Sequence, residues 1–334
     1  VWIDTAGFDD EGELGAQRVQ NTEEVLQKID AALLVVTAGQ QDCSLELHWL
    51  ELCTAREKPV VIVVNKADLS EEIPAALREK QVIVTSAKEN RGIDEVRQAL
   101  AAALPKGEER ALTEHLGLAG GDHVLLVAPQ DIEAPKGRLI LPQVQTIRDL
   151  LDRRACVSIV TEDRLAHALT LYKQPPAWII TDSQVFDKVE ALCPPETKLT
   201  SFSILMARFK GDLAEFVRGA AVVDTLKETD KVLILEACTH NAMDGDIGRV
   251  KIPGMLRKKA GAGIGIEVRS GNDIPADLTP YRLVIHCGGC MFNRAHMMDR
   301  VRRCQAQGVP ITNYGVFIAK AKGILPRVSD LDMP

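Results

Sequence analysis

Tyr281-Arg-Leu-Val-Ile-His-Cys-Gly-Gly-Cys290 is the stretch that decides the fold, because its aliphatic run ends in a tight loop with two cysteines. A second run of the same kind lies upstream, Val232-Leu-Ile-Leu-Glu-Ala-Cys-Thr-His240. Short aliphatic and β-branched runs are typical of parallel strands that are buried on both faces. The sequence therefore predicts an α/β protein in which two such strands end on cysteines.

The cysteines at these strand ends predict a metal centre. Ligands of an open parallel sheet bind beyond the carboxyl ends of its strands, so neighbouring strands would bring Cys238, Cys287 and Cys290 together. Three thiolates select an iron–sulfur cluster, zinc or copper, although paired core cysteines are the alternative. His240 shares a strand face with Cys238 and is the first candidate for a fourth ligand. His286 points away from Cys287 in an extended strand and is the last candidate.

Length and composition indicate a multidomain globular protein. A chain of 334 residues exceeds what one core usually supports, and 46% hydrophobic with 26% charged residues is an ordinary globular balance. The net charge of −7 argues against nucleic acid as a partner. No apolar run reaches the roughly 18 residues of a membrane helix, so no membrane is expected. Eight cysteines without a dense framework favour a reducing, cytoplasmic setting.

The first part of the chain alternates between strand and helix patterns, which predicts a parallel sheet flanked by helices. A strand begins at Val1. The later predicted strands are 32–36, 59–65 and 81–85, and the predicted helices are 14–29, 44–56, 73–80 and 92–104.

Three loops at the ends of these strands predict a guanine nucleotide site. Asp4 can hold Mg²⁺ through water, and Gly7 can bring its backbone N–H to a γ-phosphate. In Asn65-Lys66-Ala67-Asp68 the Asp68 carboxylate can accept hydrogen bonds from both N–H groups of the guanine edge. The third loop, Ser86-Ala87-Lys88, can close over the base. Their order resembles the translation-factor class of small GTPases.

The phosphate-binding loop and the first switch of such GTPases are not in this sequence. Both would precede the strand at Val1, which is not a natural start, so we expect them in a preceding segment. The chain as given is therefore expected to contain no catalytic residue. GTP hydrolysis is expected of the full-length protein.

Two further α/β units are predicted after a charged hinge at residues 105–110. The middle unit has no obvious catalytic group, and such a domain often pairs with a copy of itself. Its predicted strands are 123–127, 156–160, 178–181 and 198–202, with helices 141–153, 162–171 and 183–192. The last unit has predicted strands 232–237, 265–268, 283–287 and 311–313, with helices 203–218, 247–260 and 293–307. The predicted domains are 1–107, 108–203 and 204–334.

The order of these motifs resembles the HydF family, GTPase scaffold proteins that mature [FeFe]-hydrogenase. The resemblance covers essentially the whole chain. It rests on Asp4-Thr-Ala-Gly-Phe-Asp-Asp-Glu-Gly-Glu-Leu-Gly15, Ala134-Pro-Lys-Gly-Arg-Leu139, Thr181-Asp-Ser-Gln184, Ile285-His-Cys-Gly-Gly-Cys290 and Asn313-Tyr-Gly315.

This resemblance implies a GTPase domain, a dimerisation domain and a cluster-binding domain. It implies a [4Fe–4S] cluster on Cys238, Cys287 and Cys290 with a fourth position open or weakly held. GTP or GDP, Mg²⁺ and a monovalent cation are the other implied cofactors. The implied homodimer receives a diiron precursor bearing CO and cyanide, built with two radical-SAM maturation enzymes, and delivers it to apo-[FeFe]-hydrogenase.

Two other functions compete with this interpretation. The first is an RNA- or ribosome-associated GTPase with a structural zinc site, against which the acidic composition and the lack of a basic stripe count. The second is a redox enzyme whose cluster cycles electrons, for which the sequence shows no substrate pocket.

Overall fold

The computed structural model describes residues 2–3, 25–26, 29–104, 111–129, 139–237, 247–271, 273–290 and 292–329. The chain divides into two compact units, Val1–Glu109 and Arg110–Pro334. It contains three parallel sheets flanked by helices, which confirms the predicted α/β class. In the described ranges, no helix is both long and apolar enough to cross a bilayer.

The first unit is built on a three-stranded sheet whose order is β1-β2-β3. The strands are β1 (Ala32–Thr37), β2 (Val60–Asn65) and β3 (Val82–Val84), and helices Ser44–Ala55 and Ile93–Ala103 accompany them. The aliphatic interior of β2 is buried, as expected for a central strand. Its last residue, Asn65, pairs with Thr37 at the carboxyl edge of the sheet. The polar residues that follow β2 therefore begin at this edge.

The predicted helix 73–80 is wrong. Only the 3₁₀ turn Ala75–Leu77 forms there, because extended Pro74 precedes it and a turn suffices to bury Leu77 in the core. The predicted strand at Val1 and helix 14–29 fall almost entirely outside the described residues.

The second unit contains two four-stranded parallel sheets that share one hydrophobic core. The first sheet has the order β5-β4-β6-β7. Its strands are β4 (His123–Val127), β5 (Cys156–Val160), β6 (Trp178–Thr181) and β7 (Lys198–Ser201), with helices Leu141–Asp152, Leu165–Thr170 and Phe186–Leu192. The predicted boundary between 203 and 204 stays a prediction.

The second sheet of this unit has the order β11-β10-β8-β9. Its strands are β8 (Lys231–Glu236), β9 (Gly265–Ser270), β10 (Leu283–His286) and β11 (Ile311–Asn313), with helices Ile252–Ala260, Arg294–Ala306, Tyr314–Ala321 and Leu325–Ser329. The last two helices were not predicted. Strands β8 and β10 are adjacent and parallel, with His286 opposite Leu235, which confirms the pairing expected from the two aliphatic runs.

The predicted helix 203–218 is two helices, Phe202–Lys210 and Leu213–Ala220. A Cβ at Gly211 would lie 2.6 Å from the Phe216 ring, so only glycine fits at the break. Asp212 then starts the second helix by accepting a hydrogen bond from the Glu215 N–H. The break ends the first helix at Lys210, beside the loop that carries Cys287 and Cys290.

Candidate nucleotide and metal sites

The loops after β2 and β3 meet at Asn65. Its side-chain oxygen accepts hydrogen bonds from the Ala87 N–H at 3.0 Å and the Thr85 hydroxyl at 3.2 Å. These protein contacts hold the Asn65-Lys-x-Asp and Ser86-Ala-Lys motifs together. The backbone N–H that links the two motifs belongs to Ala87, which is one of the residues predicted to contact the base.

Asp68 is held beside the second motif. The Ser86 hydroxyl donates to one Asp68 carboxylate oxygen at 2.7 Å, and Lys88 Nζ lies 3.8 Å from the other oxygen. The hydrogen bond from Ser86 lowers the pKa of Asp68, so this group is a carboxylate at neutral pH. A carboxylate accepts both N–H donors of the guanine edge, which adenine does not present.

Two residues beside this site, Lys66 and Gly92, have a positive φ, which lets the backbone turn sharply in these loops. The φ of Lys66 is +66°. Ser86 and Arg91 exchange two backbone hydrogen bonds of 3.0 Å, which close the loop between them. Gly92 follows at φ +77°, and a Cβ there would lie 2.6 Å from the Val84 carbonyl oxygen. The predicted phosphate-side residues Asp4 and Gly7 lie outside the described residues.

Cys287 stands at the carboxyl ends of β8 and β10. Its N–H donates to the Leu235 carbonyl at 2.9 Å, which continues the strand pairing by one residue. Its sulfur accepts hydrogen bonds from the Ala237 N–H at 3.0 Å and the Gly289 N–H at 3.4 Å. Backbone N–H groups aimed at a cysteine sulfur stabilise a thiolate and tune metal–sulfur centres. Ala237 directly precedes Cys238 in the sequence.

Gly289 shapes the loop between the two cysteines. Its φ is +60°, and a Cβ there would lie 2.6 Å from the Met297 sulfur. Its carbonyl accepts the Phe292 N–H at 2.9 Å, which turns the chain toward helix Arg294–Ala306. Asn293 caps that helix by accepting the His296 N–H, so the positive helix end begins close to the cysteine loop.

His286 is buried, and both of its ring nitrogens have protein partners. Nδ1 lies 2.5 Å from the Cys287 carbonyl oxygen, and Nε2 lies 2.7 Å from Arg300 Nη1. Burial holds the pKa of His286 well below its usual value, so the neutral ring donates through Nδ1 and accepts through Nε2. In this arrangement both ring nitrogens of His286 are engaged by protein atoms.

Arg300 places a buried positive charge behind the cysteine loop. It also donates to the Gly271 carbonyl, and its guanidinium stacks on the Phe292 ring at 4.5 Å. Burial lowers the pKa of Arg300 to about 10, which leaves it cationic at neutral pH. Sequence reasoning missed this residue. The available signal was an arginine on the apolar helix face that also carries Met297, Val301 and Cys304.

Lys210 was missed as well. Its Nζ donates to the carbonyl oxygens of Cys290 at 2.8 Å and Gly289 at 3.3 Å. Helix Phe202–Lys210 is buried over most of its length, so a lysine at its end gave no distinct sequence signal.

The predicted ligands Cys238 and His240 lie outside the described residues. Within the ranges that are described, no three His, Cys, Asp or Glu side chains converge on a metal position. Cys287 and Cys290 are the predicted cysteine ligands that lie in the described ranges, and both are partly exposed. Cys304 is buried in the core, which raises its pKa to about 12, so it is a packing residue. Cys43, Cys53 and Cys193 are buried, and Cys156 is exposed on β5.

Two family models match the second unit. The hydrogen maturase F dimerization domain matches residues 115–211, and the hydrogen maturase F tetramerization domain matches residues 214–331. The chain belongs to the hydrogen maturase F (HydF) family. This confirms the resemblance drawn from the motifs. Both HydF domains are self-association domains, so the chain carries regions for assembly with copies of itself.

About a third of this HydF-family chain is similar to known GTPases. It is 32% identical over 115 residues to the tRNA modification GTPase MnmE of Alkaliphilus metalliredigens, which is 33% of this chain and 24% of that protein. GTPase Der of Solidesulfovibrio magneticus is 31% identical over 113 residues, covering 32% and 26%. GTPase Era of Clostridium acetobutylicum is 28% identical over 117 residues, covering 32% and 40%. The matches span less than half of each relative, and they support a GTPase-type domain in this chain.

Proposed function

We propose that this chain is a scaffold and carrier of [FeFe]-hydrogenase maturation that holds a [4Fe–4S] cluster on Cys238, Cys287 and Cys290. The observation that carries the proposal is the Cys287 sulfur at the ends of β8 and β10, with the Ala237 N–H donated to it at 3.0 Å. Cys238 is the next residue of the chain after Ala237. Chain connectivity therefore supports a thiolate set built from both strands.

The surroundings of the loop suit an anionic iron–sulfur centre. Cys287 and Cys290 supply soft thiolates, and backbone N–H groups point at the Cys287 sulfur. Arg300 and Lys210 are buried cations, and they donate hydrogen bonds to His286 and to the Cys290 carbonyl, respectively. When bound, a cluster held by three cysteines supplies an iron with an exchangeable fourth ligand, to which a diiron precursor can attach. His240 is the candidate for a weak fourth ligand.

The GTPase unit is proposed to regulate this carrier. Asn65, Lys66 and Asp68, with Ser86 to Lys88, bind the guanine base, while Asp4 and Gly7 serve the Mg²⁺ and phosphate side in the full-length protein. A monovalent cation is a further proposed ligand of this site. GTP binding and hydrolysis then change the affinity for partners, as a coupling between two sites. The proposed partners are a second copy in a homodimer, two radical-SAM maturation enzymes and apo-[FeFe]-hydrogenase in the cytoplasm.

Anaerobic iron and acid-labile sulfide analysis of the full-length protein tests the cluster. We expect about four irons and four sulfides per chain, lost in Cys287→Ser. Cys156→Ser is the matched control, because Cys156 is an exposed cysteine on the other sheet of the same unit. If the two variants contained the same amount of iron per chain, Cys287 would not be a cluster ligand.

The zinc-bearing RNA-associated GTPase is the competing function. The similarity of about a third of the chain to tRNA modification GTPases favours it. One zinc per chain without sulfide, together with salt-dependent RNA binding, would establish it in place of the cluster scaffold.

A further inference from the structure

Lys210 connects the two matched domains at the cysteine loop. It is the last residue of helix Phe202–Lys210, in the segment matched by the dimerization model, and it is only 9% exposed. Its Nζ donates to the carbonyls of Gly289 and Cys290, in the segment matched by the tetramerization model. One buried ammonium thus joins the end of a helix in one domain to the loop of the other.

The two hydrogen bonds fix the backbone on both sides of Cys290. The Gly289 carbonyl belongs to the peptide plane before Cys290, and the Cys290 carbonyl belongs to the plane after it. The Gly289 carbonyl is shared with the Phe292 N–H, so the same oxygen closes the turn. With both planes held, the direction in which the Cys290 side chain leaves the backbone is set.

In the described part of the chain, no carboxylate neutralises the positive charge of Lys210. Its hydrogen-bond partners in the described part of the chain are the two carbonyls, and no ion pair with Asp or Glu is found for it there. Burial lowers the pKa of Lys210, and the nearby Cys290 and Cys287 side chains oppose this shift. A buried cation without a counter-charge is unfavourable, and negative charge on the cysteine sulfurs would compensate it.

We propose that Lys210 is a positioning residue for an anionic metal–thiolate centre at Cys287 and Cys290. It holds the loop in the shape that presents Cys290, and its charge favours the more reduced, more negative state of the centre. The loop geometry stands on the described contacts, whereas the charge effect rests on the proposed cluster function.

Three variants of the full-length protein separate the two effects. Lys210→Gln keeps a donor for the carbonyls without the charge, Lys210→Arg keeps the charge, and Lys210→Met removes both. Lys198→Met is the control, since Lys198 is a cation of the same unit that lies over the Trp178 ring at 5.3 Å. Circular dichroism and thermal melting identify any variant that fails to fold, in which case the remaining two are compared.

The first measurement is amide hydrogen exchange of residues 287–293 in metal-free protein. We expect faster exchange at the Phe292 amide in Lys210→Met, slower exchange in Lys210→Gln than in Lys210→Met, and no change in Lys198→Met. Unchanged exchange in Lys210→Met would overturn the positioning role. This readout does not need a cluster, so it stands even where the proposed function fails.

The second measurement is the midpoint reduction potential of the loaded protein, followed by electron paramagnetic resonance. We expect a more negative potential in Lys210→Gln and Lys210→Met, with Lys210→Arg and Lys198→Met close to the parent protein. A parent-like potential in both neutral variants would overturn the charge effect. A protein that binds no iron at all contradicts the proposed function and, with it, this second part.

Discussion

The N–H of Ala237 donates to the sulfur of Cys287 at 3.0 Å, across the ends of two neighbouring parallel strands. The residue before one predicted cysteine ligand thus contacts another predicted ligand directly. Because β8 and β10 are in register up to Leu235 and His286, the sheet itself brings the two aliphatic runs together at this edge. The binding site expected beyond the strand ends is therefore a consequence of strand order.

Gly289→Ala is expected to destabilise the second unit by about 1–2 kcal/mol from its positive φ alone. The added Cβ would also press on the Met297 sulfur, 2.6 Å away. Met297→Ala in the same chain should relieve the contact but leave the backbone strain. Denaturant unfolding of both single variants and the double variant measures this. Strictly additive free energies would contradict the contact between the two residues.

Asp68→Asn is expected to weaken GTP binding by roughly 10- to 100-fold, because a charge-assisted hydrogen bond is lost. Xanthine nucleotides carry a carbonyl where guanine has its amino group, so an asparagine amide can donate to it. Affinity for xanthosine triphosphate should therefore rise in the variant. Fluorescent nucleotide titration of the full-length protein measures both. Asp94→Asn, in the exposed first turn of helix Ile93–Ala103, is the control and should bind like the parent.

The strands, and the two strand ends that carry cysteines, could be predicted from the sequence because they depend on the local hydrophobic pattern. The aliphatic stretch around Val232 and the one before Cys287 each fit a strand buried on both faces. Helix breaks were harder, since the break at Gly211 depends on the Phe216 ring that packs against it.

Lys210 and Arg300 could not be placed from the sequence because their roles depend on tertiary contacts. Lys210 reaches a loop 80 residues further along the chain. Arg300 acts through His286, which the sequence pattern offered as a ligand and which the fold engages at both nitrogens. The sequence motif indicates the candidate cysteine ligands, whereas the nearby cations Lys210 and Arg300 come from other helices that pack against the loop.

Glu267 is expected to give the second unit an acid-dependent stability. It accepts hydrogen bonds from Lys231, Tyr281 and Arg269, which lower its pKa from 4.5 to about 2. A carboxylate with a lowered pKa stabilises the fold above its unfolded pKa, and this contribution is lost as the pH falls from 4.5 toward 2.

Unfolding free energy measured between pH 2 and pH 7 tests this dependence. Glu267→Gln should be about 1 kcal/mol less stable at pH 7 and should lose the slope of one proton, at most about 1.4 kcal/mol per pH unit. Glu196→Gln, at an exposed position of the same unit, is the control. An unchanged acid slope in Glu267→Gln would show that other carboxylates produce it.

His286 is expected to stabilise the loop without binding the metal. His286→Phe leaves Arg300 Nη1 and the Cys287 carbonyl without their present partners, so we expect a loss of about 2–3 kcal/mol in unfolding free energy. His286→Gln offers an oxygen that can accept from Arg300 and should recover part of this loss. Iron per folded chain should be the same in both variants as in the parent. A folded His286→Gln protein that loses iron as Cys287→Ser does would make His286 a ligand, because glutamine can still accept a hydrogen bond from Arg300 but has no imidazole nitrogen to offer a metal.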